Sequence, residues 1–109
     1  MSLVYRANLL CNFKDNINLK LRRWDKGLEI FSPIAKKYPF HLLALDCIHS
    51  CHQALGNDNE VNITLQRIES AMQHDIRARA LAEEYGDLLS PPAQDICRKV
   101  IGHNGEILR

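Results

Sequence analysis

Leu10, Phe13, Ile17 and Leu21 recur at intervals of three, four and four residues, which places them on one face of a 3.6-residue helix and not on the alternating face of a strand. The spacing returns in Trp24, Gly27, Leu28, Phe31, Ala35 and Tyr38, and Pro39 then blocks continuation because its ring clashes with the preceding turn. Ser32-Pro33 inside this stretch predicts a kink or an early helix end. A third segment, from about His41 to Leu55, carries Ala44, Cys47, Ile48, Cys51 and Leu55 on one face, and Gly56 supplies the left-handed residue that a helix end favours. Asn57 or Asp58 caps a fourth helix with Glu60 in its first turn and Val61, Leu65, Ile68 and Met72 as its inner stripe. A fifth begins near Asp75, and Ser90-Pro91-Pro92 announces a sixth, a cap followed by proline where a missing N–H is tolerated. The expected fold is all-α: a single domain of about six helices in three antiparallel hairpins (8–40, 41–74 and a degenerate 75–102) with a tail over 103–109.

The hairpins are related by a shift of 34 positions. Leu10, Phe13, Ile17 and Leu21 fall on Ala44, Cys47, Cys51 and Leu55, then on Ala78, Leu81, Tyr85 and Leu89. For the partner helices, Gly27, Phe31, Ile34 and Tyr38 fall on Val61, Leu65, Ile68 and Met72, whereas the third copy puts Asp95 and Lys99 at stripe positions. The stretch "WDKGLEIFSPIAKKYP", with small Gly27, aromatic Phe31 and closing Pro39, resembles the second helix of a tetratricopeptide repeat (TPR), and Gly56 stands where that family turns. The chain departs from the pattern at Ile34, Ile68 and His49, where the family has small residues. The resemblance implies a right-handed helical array; a small orthogonal bundle is the alternative architecture. It further implies a non-enzymatic adaptor or small chaperone, like the small TPR chaperones of bacterial secretion systems, that holds a peptide or helix on the concave side. The repeat frame lines that side with Asn12, Asn16, Asp46, Ser50, Gln53, Arg77, Glu84 and Asp87. Only Arg77 suits the family's clamp for a peptide carboxylate, so a C-terminal carboxylate ligand is disfavoured.

Composition removes several classes of function. At 109 residues, 46% hydrophobic and 25% charged, with a net charge of +1, the chain has the make-up of one soluble domain and lacks the charge excess of a nucleic-acid binder. No apolar run approaches the ~20 residues needed to span a bilayer, and the N-terminal residues lack the pattern of a secretory leader, so a cytoplasmic protein with four reduced cysteines is expected. Phosphate-loop, nucleophile-elbow and HExxH patterns are missing, and Glu83, Glu84 and Asp87 read as a solvated acidic face.

"LDCIHSCHQ" is the one segment dense in metal-binding residue types. Cys47 and Cys51 fall on the inward stripe, which makes them small core hydrophobes, while His49 and His52 are expected to project the other way. No metal and no cofactor are expected; a zinc-binding helical protein is the alternative this segment offers. A second alternative is a small helical DNA-binding or regulatory protein using Lys20, Arg22, Arg23 and Lys26, although nucleic acid is disfavoured by the low charge. Phe40, Leu43 and Ile107 have no place on the stripes and are expected on an exposed apolar surface that binds a partner helix or a second copy of the chain.

Overall fold

The computed structural model describes residues 21–104. Among them the chain forms α1 (Trp24–Lys37), α2 (Leu42–Leu55), α3 (Asp58–His74), α4 (Ile76–Tyr85), a short 3-10 turn (Gly86–Leu88) and α5 (Pro91–Asn104), with no strand. These are the second to sixth helices expected from the hydrophobic pattern. The first, with Leu10, Phe13 and Ile17, lies outside the described residues.

Local chemistry explains most of the boundaries. The end of α2 is a Schellman turn: Gly56 takes φ +78°, its N–H bonds Gln53 O, and Asn57 N–H reaches back to His52 O at 2.9 Å. A side chain on a β-carbon would be strained at that φ, which is why glycine occupies it. Asp75 separates α3 from α4 and caps the latter, its Oδ1 accepting from Arg77 N at 2.9 Å. The carbonyls at the end of α3 are closed from outside, since Arg79 donates to Met72 O at 2.7 Å and to Gln73 O at 2.9 Å. The break expected at Ser32-Pro33 does not occur, and α1 runs on to Lys37. Pro33 and Glu29, whose carbonyl loses its donor to the proline ring, are both exposed, so water satisfies what the helix cannot.

The helices pack around α2, which lies against both α1 and α3 and also meets α4, while α3 lies against α5. One continuous core results, drawn from Phe31 and Ala35 of α1, most of α2, Ile68 and Met72 of α3, Ala78 and Leu81 of α4, and Leu89, Ala93, Cys97 and Val100 at and beyond the last turn. Every residue from Phe40 to His49 is buried, so the first two turns of α2 have no solvent face. That corrects three expectations. Phe40 and Leu43 are core residues at 5% and 1% exposure and form no exposed apolar surface; Ile107 lies outside the described residues. His49 is buried on the side of α2 away from the stripe. Leu55, assigned to the stripe, is 39% exposed because the helix leaves the core in its last turn.

Phe31 is fully enclosed. Truncating it, Phe31→Ala, is expected to cost ~3–5 kcal/mol of unfolding free energy, as for other buried phenylalanines. Gln53→Ala, at an exposed position, should stay within ~0.5 kcal/mol of the parent. Urea denaturation of the two variants checks both, and equal midpoints for Phe31→Ala and the parent would rule out Phe31 as a core anchor.

Candidate functional site

A helix with no solvent face must give partners to any polar side chain it carries, because an unpaired buried polar group costs on the order of 1–3 kcal/mol. The buried part of the α2 segment carries three such residues: His41, Asp46 and His49, each no more than 1% exposed. His41 caps α2. Its Nδ1 accepts from Ala44 N at 3.1 Å, which requires the neutral ring, while its Nε2 finds no partner. Burial pulls the His41 pKa down to about 4, against a smaller opposing effect of its own backbone.

Asp46 reaches across the core to the start of α5. Its Oδ2 accepts from Ser90 N at 2.7 Å and its Oδ1 from Ser90 Oγ at 2.6 Å. The arrangement follows from the Ser90-Pro91-Pro92 sequence: two prolines remove two of the N–H groups a helix start leaves unpaired, and Asp46 takes that of Ser90. Burial pushes the Asp46 carboxyl above its ordinary range, opposed by the two Ser90 bonds and by His49. His49 lies one turn further along α2, with Nδ1 at 3.8 Å from Asp46 Oδ1, too long for a hydrogen bond, and that nitrogen has no other partner. Burial lowers the His49 pKa, with Asp46 opposing.

The thiols surround this node without chemistry of their own. Cys47, Cys51 and Cys97 are buried. Burial pushes Cys51 up to about 11, with Asp25 adding to the effect, and Cys97 likewise to about 11, with Asp46 adding. Among the described residues no three His, Cys, Asp or Glu side chains converge as metal ligands.

The residues assigned to a concave partner-binding face do not form one surface. Asn12 and Asn16 lie outside the described residues. Asp46 is sealed in the core with both oxygens on Ser90, so it is not open to a partner. Ser50 is half-buried, and Gln53, Arg77, Glu84 and Asp87 are exposed. Arg77 is engaged locally: its guanidinium makes two bonds to Asp75, at 3.0 and 2.8 Å, and stacks 4.1 Å from the ring of Phe40. Asp87 alone of the set enters a concave feature, a shallow groove of about 330 Å³ that runs between the end of α4 and the outer side of α5. Its walls are Ala82, Gly86, Leu89, Cys97 and Ile101, with Asp87, Gln94 and Arg98 at the rim. Ile101 is 42% exposed there. Arg98 donates to Gln94 Oε1 at 3.0 Å and lies 3.5 Å from Asp95 with its side chain still exposed, so the rim carries one charge of each sign, Asp87 and Arg98. A second hollow of about 280 Å³, between the α1–α2 turn and the end of α3, is lined by Pro39, Phe40, Arg67, Ser70 and His74 among others.

The histidine cap and the Asp46–Ser90 tie were not foreseen. Histidine is not among the usual capping residues, and nothing local to Asp46 marks Ser90, 44 positions on, as its partner. Among the described residues no helix is long and apolar enough to cross a membrane. No protein-family model, no curated protein and no solved structure matches the chain.

Two predictions follow from the buried polar groups. Asp46→Ala leaves the Ser90 N–H and hydroxyl without acceptors and should destabilise by ~2–4 kcal/mol. Asp46→Asn keeps an acceptor for the N–H and can donate to Ser90 Oγ while removing a desolvated charge, so it should fall within ~1 kcal/mol of the parent; urea denaturation of the pair separates hydrogen bonding from charge. The second concerns pH. His41 titrates lower in the fold than unfolded, so its contribution is complete above its ordinary value of 6.5 and is lost as pH falls towards about 4. The full loss is about 3 kcal/mol. Asp46 has the opposite sign, its raised pKa favouring the fold at low pH. His41→Asn retains a capping oxygen and cannot titrate, so its stability–pH curve between 6.5 and 4 should be flatter than the parent's; parallel curves would contradict the assignment.

Proposed function

We propose that the chain is a non-enzymatic protein-binding module whose binding surface is the groove between α4 and α5, and that its occupant is an amphipathic helix of another protein. The observation that carries this reading is the apolar lining of Ala82, Leu89, Cys97 and Ile101, with Asp87 and Arg98 beside it. Apolar anchors spaced by one helical turn suit such a groove, and polar residues flanking them would meet Asp87, Gln94 and Arg98. The hairpin layering supports the same reading, since α2 meets α4 and α3 meets α5 as first and second helices of successive repeats would. So does the placement of the ionisable groups: Asp46, His41 and His49 are enclosed, and Asp46 and His41 bond to backbone groups that hold helix ends.

The test uses a synthetic amphipathic helix with leucines at i and i+4 and flanking lysines, titrated into the isotopically labelled protein. Amide shifts should cluster at Ala82, Gly86, Leu89, Gln94 and Ile101. Ile101→Glu should weaken the affinity at least ~10-fold, the equivalent of ~1.4 kcal/mol, with the fold intact by circular dichroism. Shifts clustering at the Pro39–His74 hollow, or an affinity indifferent to Ile101→Glu, would remove the groove from the account.

A further inference from the structure

We infer that Asp46 and His49 form an acid-operated latch on α5: one proton taken up between Asp46 Oδ1 and His49 Nδ1 draws Oδ1 away from Ser90 Oγ and loosens the first turn of that helix.

With the neutral ring proton of His49 on Nε2, two acceptors stand side by side. Asp46 Oδ1 and His49 Nδ1 stand 3.8 Å apart, both buried, and the nitrogen has no hydrogen-bond partner. Without a proton between them they have no reason to approach. With one, whether it sits on the imidazole or on the carboxyl, the pair becomes a donor facing an acceptor, and closing the gap by less than 1 Å makes a hydrogen bond. Oδ1 is the oxygen that now accepts from Ser90 Oγ at 2.6 Å, and although it has lone pairs for both donors, its move towards His49 stretches the bond to Ser90. The proton comes from solvent and no covalent bond other than its own changes.

The surroundings leave the proton to this pair. Among the described residues, the buried side chains offered by the elements around α2 are Phe31 and Ala35 from α1, Thr64, Ile68 and Met72 from α3, Ala78 and Leu81 from α4, and Ala93, Cys97 and Val100 from α5, of which only Cys97 titrates. With its thiol pushed up to about 11, Cys97 is neutral throughout the acid range. His41, also on the α2 segment, is engaged with Ala44 N. Burial moves His49 down and Asp46 up, so the two titrate towards each other and share one uptake step.

The first turn of α5 is sensitive because Pro91 and Pro92 contribute no N–H, which leaves the Ser90 amide and hydroxyl as its polar tie to the core beside the apolar packing of Leu89 and Ala93. Leu89 and Gln94 flank that tie and line the α4–α5 groove, but the latch does not depend on what the groove binds.

The experiment is a pH titration of the full chain by NMR, with amide protection factors corrected for intrinsic exchange, in a His41→Asn background that silences the other buried histidine. Between pH 7.5 and 5, protection at Ser90 and Gln94 should fall at least ten-fold while Ile68 and Met72 stay protected, and His49→Gln should abolish the fall. Unchanged protection at Ser90 down to the pH of global unfolding overturns the proposal, as does an equal fall in His49→Gln. Should His49→Gln not fold, the His49 ring titration decides the matter: a midpoint coincident with that of the Ser90 amide supports the latch, and a separate one overturns it.

Discussion

The carboxylate of Asp46 sits inside a helix that has no outer side, and both of its oxygens are turned to a residue in another part of the chain. Much of the architecture answers to that arrangement. Because α2 is enclosed by α1, α3 and α4 over its first turns, its polar groups cannot turn to water and must find their partners in the protein. His41 finds one in its own helix, as a cap. Asp46 finds one at the start of α5, where two prolines have left a helix terminus with little of its own to bond. A desolvation cost and an uncapped helix end offset each other, and α5 is thereby tied to α2 by something more directional than apolar contact.

The distribution of legible and illegible features has a physical pattern. Helix ends were readable because they depend on one or two residues at fixed offsets: Gly56 in its left-handed turn, the helix start near Asp75, and Ser90 ahead of paired prolines all stand where the sequence put them. The inward stripes were readable for the same reason, with Phe31, Ile68, Met72, Ala78 and Leu81 buried. Periodicity reports a single face, however, and has no means of marking a helix that is covered on all sides. Leu43, Phe40 and His49 were misplaced together because they lie off the stripe of the most central helix. The partner-binding set derived from the stripe inherited that error at Asp46.

The same distinction separates two kinds of chemistry in the molecule. Inside, the ionisable groups are few and enclosed, His41 and Asp46 are committed to helix ends, and the Cys51 and Cys97 thiols are held in their neutral form by burial. Outside, the groove between α4 and α5 is lined by Ala82, Leu89, Cys97 and Ile101, with Asp87, Gln94 and Arg98 as its polar members. A surface of that kind suits recognition of another polypeptide better than covalent chemistry, which is the basis of the binding role proposed for it. The two regions meet at Leu89 and Ser90, so the interior tie also fixes one wall of the groove.

That tie is the element on which the rest hangs, and a double-mutant cycle on Asp46 and Ser90 measures it directly. Unfolding free energies of the parent, Asp46→Ala, Ser90→Ala and the double variant give the coupling between the two side chains with the contributions of each alone removed. A coupling of about 1–3 kcal/mol is predicted, the range for a buried hydrogen bond to a charged group. Ser90→Ala leaves the bond from Ser90 N–H to Asp46 Oδ2 in place, so a coupling below ~0.5 kcal/mol would contradict the hydroxyl half of the tie, and an Asp46→Ala cost below ~0.5 kcal/mol would mean that Asp46 does not hold α5.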